Sequence, residues 1–365
     1  MSTPTLSTLR DLPRARLFWP IVTLVALLLL NVAVSPGFFA IRVENGHLFG
    51  SLVDILRNGA PTLLVALGMT VVIATRGIDL SVGAVVAISG ALACTIIADS
   101  PTPDDLGTVF FAVTVAVGFS LVLGAWNGLL VAVFGIQPII ATLILMTAGR
   151  GIAMLITEGQ IITVSSAPYK VIGAGYWFGL PASIVIAAAM FVVAALLTRK
   201  TALGLLIESV GINPVASRLA GVRARGIVWT VYVFSAVCAA VAGLMISSNV
   251  TAADANSAGL WIEMDAILAV VIGGTSLAGG RYSLTGTLIG AFVIQTLTTT
   301  VYTVGIAPSI TLVFKALVVI AVCLLQSPVL QQRMRARRRP PGSRPPASAR
   351  SAKKSDSAKK GALVS

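Results

Sequence analysis

Few side chains in this sequence could do chemistry, and their spacing narrows the kinds available. His47 is the sole histidine, and Cys94, Cys238 and Cys323 each lie inside an apolar run without CxxC-type spacing. A metal centre therefore has no ligand set, the thiols read as buried and free, and His47 reads as a solvated loop side chain. No HExxH, GxSxG or Asp-rich diphosphate-metal motif occurs, which leaves an enzyme without a nucleophile or an activated water. A proton-coupled carrier would place carboxylates inside its spans, whereas Asp54, Asp79, Glu158, Glu208, Glu263 and Asp265 map to segment ends or loops. A GxxxxGK[ST] phosphate loop is also missing, so uphill transport by this chain must draw its energy from another one.

The residues that do stand out are cations and turn-formers. Arg150 and Lys315 are the cations deepest in apolar runs, roughly 10 to 18 Å from the ends of their segments at about 1.5 Å per residue. Two readings follow: they line a solute path, or they fix helix packing. Two glycine-rich junctions, GIDLSVG (77–83) and GGTSLAGGRYS (273–283), each follow a Val-Val-Ile triplet and join one apolar segment to the next. Gly77 and Gly83 suit tight turns, and Asp79 beside Ser81 suits a helix cap. Between Thr198 and Arg225 the chain reads TRKTALGLLIESVGINPVASRLAGVRAR. Asn213 is a good N-cap, Pro214 suits the first helical position, and Gly221 suits a left-handed stop, which predicts a two-turn helix over 214–220 outside the membrane.

The elements that position these residues follow from composition. The 365 residues are 56% apolar and only 11% charged, with a mean hydropathy of +0.95, against about 25% charged in soluble domains. A soluble enzyme is excluded. The net charge of +13 would suit a nucleic-acid binder if it were spread over a surface, but residues 332–365 hold 11 Lys/Arg and one Asp, and residues 1–16 hold three Arg and one Asp. The body between them is nearly neutral. Charge-free stretches, set against the ~20 residues a spanning helix needs, give ten spans near 17–39, 59–75, 81–98, 107–134, 139–157, 181–198, 226–247, 263–279, 284–304 and 308–327. The first is read as an uncleaved helix because its apolar run exceeds the ~7–15 residues of a secretory h-region. Alternate loops divide Lys/Arg 21 to 3, which places both termini in the cytoplasm. The expected fold is thus all-α: a polytopic membrane helix bundle spanning 17–331, with a short N-terminal segment (1–16) and a basic, Pro/Ser-rich disordered tail (332–365). That tail suits anionic membrane lipid and argues against nucleic acid as a partner.

Four runs carry a family resemblance: GMTVVIATRGIDLSVGAVVAISGAL (68–92), ATLILMTAGRGIAMLITEGQIITV (141–164), ESVGINPVASRLAGV (208–222) and DAILAVVIGGTSLAGGR (265–281). In this order they resemble the membrane permease of ribose-type sugar ABC importers, in the branched-chain amino acid/ribose permease superfamily. The segments ADANSAGLWIEMDAILAVVIGG (253–274) and HLFGSLVDILRNGAP (47–61) are most similar to the galactofuranose permeases. The family form of the first junction is GGIDLSVG; Arg76 stands here in place of the first glycine, a departure expected to affect membrane anchoring more than transport.

The resemblance implies a non-catalytic pore subunit for a monosaccharide in the bacterial inner membrane. It implies a second permease subunit, identical or related, and two cytoplasmic ATP-binding cassette subunits that carry the ATP and magnesium, with no cofactor in this chain. It also implies a periplasmic sugar-binding protein. Glu208, Gly211, Asn213, Pro214, Ala216 and Gly221 match the loop on which the family's ATPase docks. The competing class is an autonomous secondary carrier or facilitator for a small polar solute, which would transport without partners.

Overall fold

Glycine, proline and capping side chains punctuate the apolar runs, and the helices follow that punctuation. The computed structural model describes residues 17–44, 46–305 and 310–326; the expected segment 1–16 and tail 332–365 lie outside them. The described residues up to 322 form one compact unit, whose architecture follows. Thirteen helices are described: α1 (Phe18–Val34), α2 (Ser51–Ala74), α3 (Val82–Ala98), α4 (Leu106–Ala132), α5 (Pro138–Ile156), α6 (Ala167–Ala174), α7 (Ala182–Lys200), α8 (Leu203–Ile212), α9 (Pro214–Leu219), α10 (Ala224–Val250), α11 (Ile262–Ile272), α12 (Leu284–Val304) and α13 (Thr311–Gln326). Three two-stranded antiparallel pairs join loops: β1 (Arg42–Glu44) with β2 (His47–Phe49), β3 (Ile162–Thr163) with β6 (Ala252–Ala253), and β4 (Tyr176–Trp177) with β5 (Leu180–Pro181).

Each expected span overlaps a helix, and local chemistry explains the boundaries. Gly135 takes a left-handed φ of 70° and Pro138 opens α5, so the long apolar run breaks where proline removes a donor. α2 begins at Ser51, before the charge-free stretch, and carries Pro61 internally. Two helices, α6 and α8, lie outside the expected set; Ser166 caps the first by accepting from the Tyr169 amide, with proline in its first turn.

By length and composition α2, α4, α5, α7, α10 and α12 can each cross a membrane, and the chain is a multi-pass membrane protein built as a helical bundle. The eighth expected span is a correction. α11 has 11 residues, which rise about 16 Å, roughly half the ~30 Å hydrocarbon core. The chain turns at Gly273 and Gly274 instead of continuing to 279, the latter with φ 83°.

Burial separates a centre from a rim. The apolar windows of α2, α12 and α10 are 72%, 61% and 56% buried, while those of α4 and α5 are 28% and that of α7 is 22%. α10 is the hub, packing on α2, α3 and α4, while α12 packs on α1, α2 and α11. Polar side chains tie the inner helices together: Asn31 donates to the Thr300 hydroxyl at 2.6 Å, Thr70 and Thr287 share a bond of 2.7 Å, and Ser89 donates to the Ala240 carbonyl at 3.1 Å. Such bonds hold helices together where lipid offers no hydrophobic drive between them. The rim helices turn Phe110, Val122, Ile144 and Leu196 outward, as a lipid-facing surface requires. Cys94 and Cys238 are buried and free.

Candidate functional site: a helical elbow and two glycine junctions

α8 and α9 make an elbow at one end of the bundle. The Thr201 hydroxyl accepts from the Leu203 amide at 3.2 Å as α8 begins. The Asn213 side-chain oxygen accepts from the amides of Val215 (3.1 Å) and Ala216 (3.0 Å) and so caps α9. Pro214 takes the first position and Gly221, at φ 85°, follows the last turn. The predicted helix is present and ends at Leu219. It presents Val215 (57% exposed) and Leu219 (86% exposed) to the surroundings, with Ala216 and Gly221 exposed and Glu208 half-buried on α8. Two exposed apolar side chains on so short a helix suit contact with a partner.

Gly211 is the buried member of the set, and close approach explains it. A Cβ there would collide with the Ala74 carbonyl oxygen at the end of α2. The Ala74 carbonyl also accepts from the Gly280 amide at 2.8 Å, so α2, α8 and the 273–283 junction meet at one point. Arg76 closes the knot. Its Nε donates to the Gly211 carbonyl and its Nη2 to the Ile212 carbonyl, both at 2.5 Å. Arg76 adopts a left-handed φ of 67°, a conformation costing a non-glycine residue about 1–2 kcal/mol; the two carbonyls it satisfies are orphans of the α8 C-terminus, where a cation is favoured. Expected to act mainly in membrane anchoring, Arg76 also binds protein backbone through its guanidinium.

The first junction turns inward. Asp79 is 2% exposed; one oxygen accepts from the Ser81 amide (3.1 Å) and hydroxyl (2.6 Å), the other from the Ser235 hydroxyl (2.9 Å) on α10. Ser81 in turn accepts from Asn127 of α4 at 2.8 Å. Asp79 is therefore a tie between helices as well as a turn-former ahead of α3. Gly77 lies against the Tyr232 hydroxyl, where a Cβ would come within 2.5 Å. A cavity of about 270 Å³ beside it is lined by Gly77, Val210, Pro214, Arg218 and Tyr232 among others.

A second polar cluster surrounds α11. Arg150 donates to the carbonyls of Ala255 (3.0 Å) and Ala258 (2.6 Å), in the segment leading into α11. Lys315 pairs with Asp265 within α11 at 2.8 Å, the side chains 12% and 23% exposed. Of the two cations singled out in the sequence, Lys315 from α13 thus holds the half-length helix itself and Arg150 from α5 the segment that leads into it. Glu263 in the first turn of α11 is 3% exposed, and its Oε2 abuts Gly83 and has no hydrogen-bond partner among the described residues.

Asp79 and Glu263 stand where expected, in the loop before α3 and in the first turn of α11, yet both are buried: Ser235, which binds Asp79, is the twelfth residue of the 27-residue α10. Absence of charge marks helix length but not burial. One further expectation is corrected. His47 is packed against Tyr176, with ring centroids 4.2 Å apart and an interplanar angle of 27°, because β2 lies beside the β4–β5 turn. Sequence reasoning missed Ser235, Asn127 and Tyr232, which are ordinary helix residues without a distinguishing pattern. At the second junction, burial raises the pKa of Tyr282.

Residues 51–323 match the family described as the branched-chain amino acid transport system / permease component. The chain is 48% identical over 320 residues to the galactofuranose transporter permease protein of Escherichia coli K12, covering 86% of this chain and 92% of that one. It is 40% identical over 325 residues to the fructose import permease protein of Bifidobacterium longum, covering 87% and 90%. It is 33% identical over 333 residues to the ribose import permease protein of Escherichia coli K12, covering 90% and 99%. No solved structure matches the chain at a significant level.

Proposed function

The chain belongs to the family of branched-chain amino acid transport system permease components, and from that premise we propose that it forms the sugar pore of an ATP-binding cassette importer. The substrate is a monosaccharide, galactofuranose or another pentose or hexose, delivered by a periplasmic binding protein; the galactofuranose, fructose and ribose permeases among its relatives support a sugar over an amino acid. The pore pairs with a second permease, identical or related. Two cytoplasmic ATPase subunits carry ATP and magnesium, and this chain supplies no catalytic group and holds no cofactor. It sits in the bacterial inner membrane with about ten crossings, the eighth made by the half-length α11 together with the non-helical segment that leads into it, and both termini cytoplasmic, the orientation that the 21-to-3 division of Lys/Arg favours.

The α8–α9 elbow carries this reading: a capped helix with two exposed apolar side chains, tied through Gly211 to the end of α2. ATPase closure moves α9, and the knot at Ala74 passes that movement to α2 and the junctions, opening the pore to the outer face. Arg150 and Lys315 act on the path by fixing α11 and the segment that leads into it. Replacing 214–221 by a Gly/Ser linker abolishes co-purification of the ATPase while the chain still inserts. Retained co-purification contradicts the reading. The buried carboxylates Asp79 and Glu263 favour a second reading, an autonomous carrier, which requires transport by vesicles containing this chain alone.

A further inference from the structure

We infer that Arg76 is a positioning residue that clamps the docking elbow to the pore helices, so that the movement of α9 is transmitted rather than absorbed. The inference rests on the reading of α9 as the ATPase contact. Its geometry is a planar fork on a helix end: Nε and Nη2 of one guanidinium take the successive carbonyls of Gly211 and Ile212, the last two residues of α8. Asn213 follows at once and caps α9. The fork therefore grips the corner about which the elbow would bend.

The other side of the clamp is equally close. Arg76 follows α2 directly, after Thr75, and its amide donates to the Ile73 carbonyl at 2.9 Å. A Cβ on Gly279, which has φ 82°, would collide with the Arg76 Cγ. The neighbouring Gly280 amide binds Ala74. The side chain thus fastens the end of α2, on which it stands, to the end of α8, and packs beside the second glycine junction, which the Ala74 carbonyl holds. Its outer edge is exposed, so it contributes through direction more than through burial. An arginine suits this task because its fork meets two carbonyls in fixed geometry, whereas a lysine is a single point charge on a flexible stem. Glycine at this position would relieve the left-handed backbone and remove the clamp.

The test uses the full chain assembled with its ATPase and binding protein in phosphatidylethanolamine/phosphatidylglycerol vesicles, with galactofuranose as the probe sugar. In Arg76→Gly the ATPase still co-purifies, while sugar imported per ATP hydrolysed falls about tenfold, within the usual range of coupling between sites. Arg76→Lys recovers part of the loss and Arg76→Met does not. Spin labels at the exposed positions Val215 and Leu277 give a narrow distance distribution in the unaltered chain and a broad one in Arg76→Gly. Native import per ATP together with an unchanged distance distribution overturns the inference. If Arg76→Gly fails to assemble, the label distances measured on the chain alone decide: broadening supports the clamp and native width overturns it. If the unaltered chain binds no ATPase, the functional reading fails, and the same distances still decide whether Arg76 holds the elbow.

Discussion

The two glycine-rich junctions follow the same Val-Val-Ile triplet, yet they are built on opposite principles. In 77–83 side chains do the joining: Asp79 is buried between Ser81 and Ser235, and Ser81 is bound by Asn127, so α3, α4 and α10 share one hydrogen-bonded centre. In 273–283 the backbone does it: Gly280 binds the Ala74 carbonyl, Gly279 lies on Arg76, and Leu277 remains 49% exposed. The first junction is a lock inside the bundle. The second is a contact surface at its end, thin enough for α2 and the elbow to reach it.

Substitutions can break or sharpen that contrast. The largest effect belongs to the lock: Asp79→Ala strips partners from two buried hydroxyls and should cost about 2–3 kcal/mol, read as a lower thermal midpoint in detergent, whereas Asp79→Asn should lose less. Gly211→Val forces a side chain against the Ala74 carbonyl where the elbow meets α2, and overpacking of this kind costs about 1–3 kcal/mol; the same melting experiment checks it. Asn213→Ala removes a cap worth about 1 kcal/mol and should speed amide exchange over 215–219 while leaving exchange in α10 unchanged. Leu277→Ser, on the exposed surface of the second junction, should change stability by less than about 0.5 kcal/mol. A loss at Leu277 equal to that at Asp79 would erase the distinction between lock and surface.

Particular residues show what the sequence makes legible. Pro138, Asn213, Pro214 and Gly221 act locally, through missing donors, caps and left-handed backbone, and their helix boundaries are readable within a residue or so. Arg150 and Lys315 are conspicuous because a cation in an apolar run must find a partner; that both partners lie on or beside α11 is not readable, since it depends on segments 105 and 50 residues away in sequence. Burial is the main thing hidden. Asp79 and Glu263 border charge-free stretches and do stand at helix ends, but the binding of the first by Ser235 of α10 and the contact of the second with Gly83 depend on segments distant in sequence. The bonds of Arg76 are hidden for a related reason: a cation near a span end matches the positive-inside pattern whether or not it also binds, as here, the carbonyls of Gly211 and Ile212.

The central claim is that this bundle is a pore driven from outside itself. Vesicles containing the chain alone, the chain with its ATPase, and the chain with both ATPase and binding protein should be compared for uptake of labelled galactofuranose with and without ATP. The account predicts uptake only in the complete assembly and only with ATP; uptake by the chain alone, with or without a proton gradient, would contradict it.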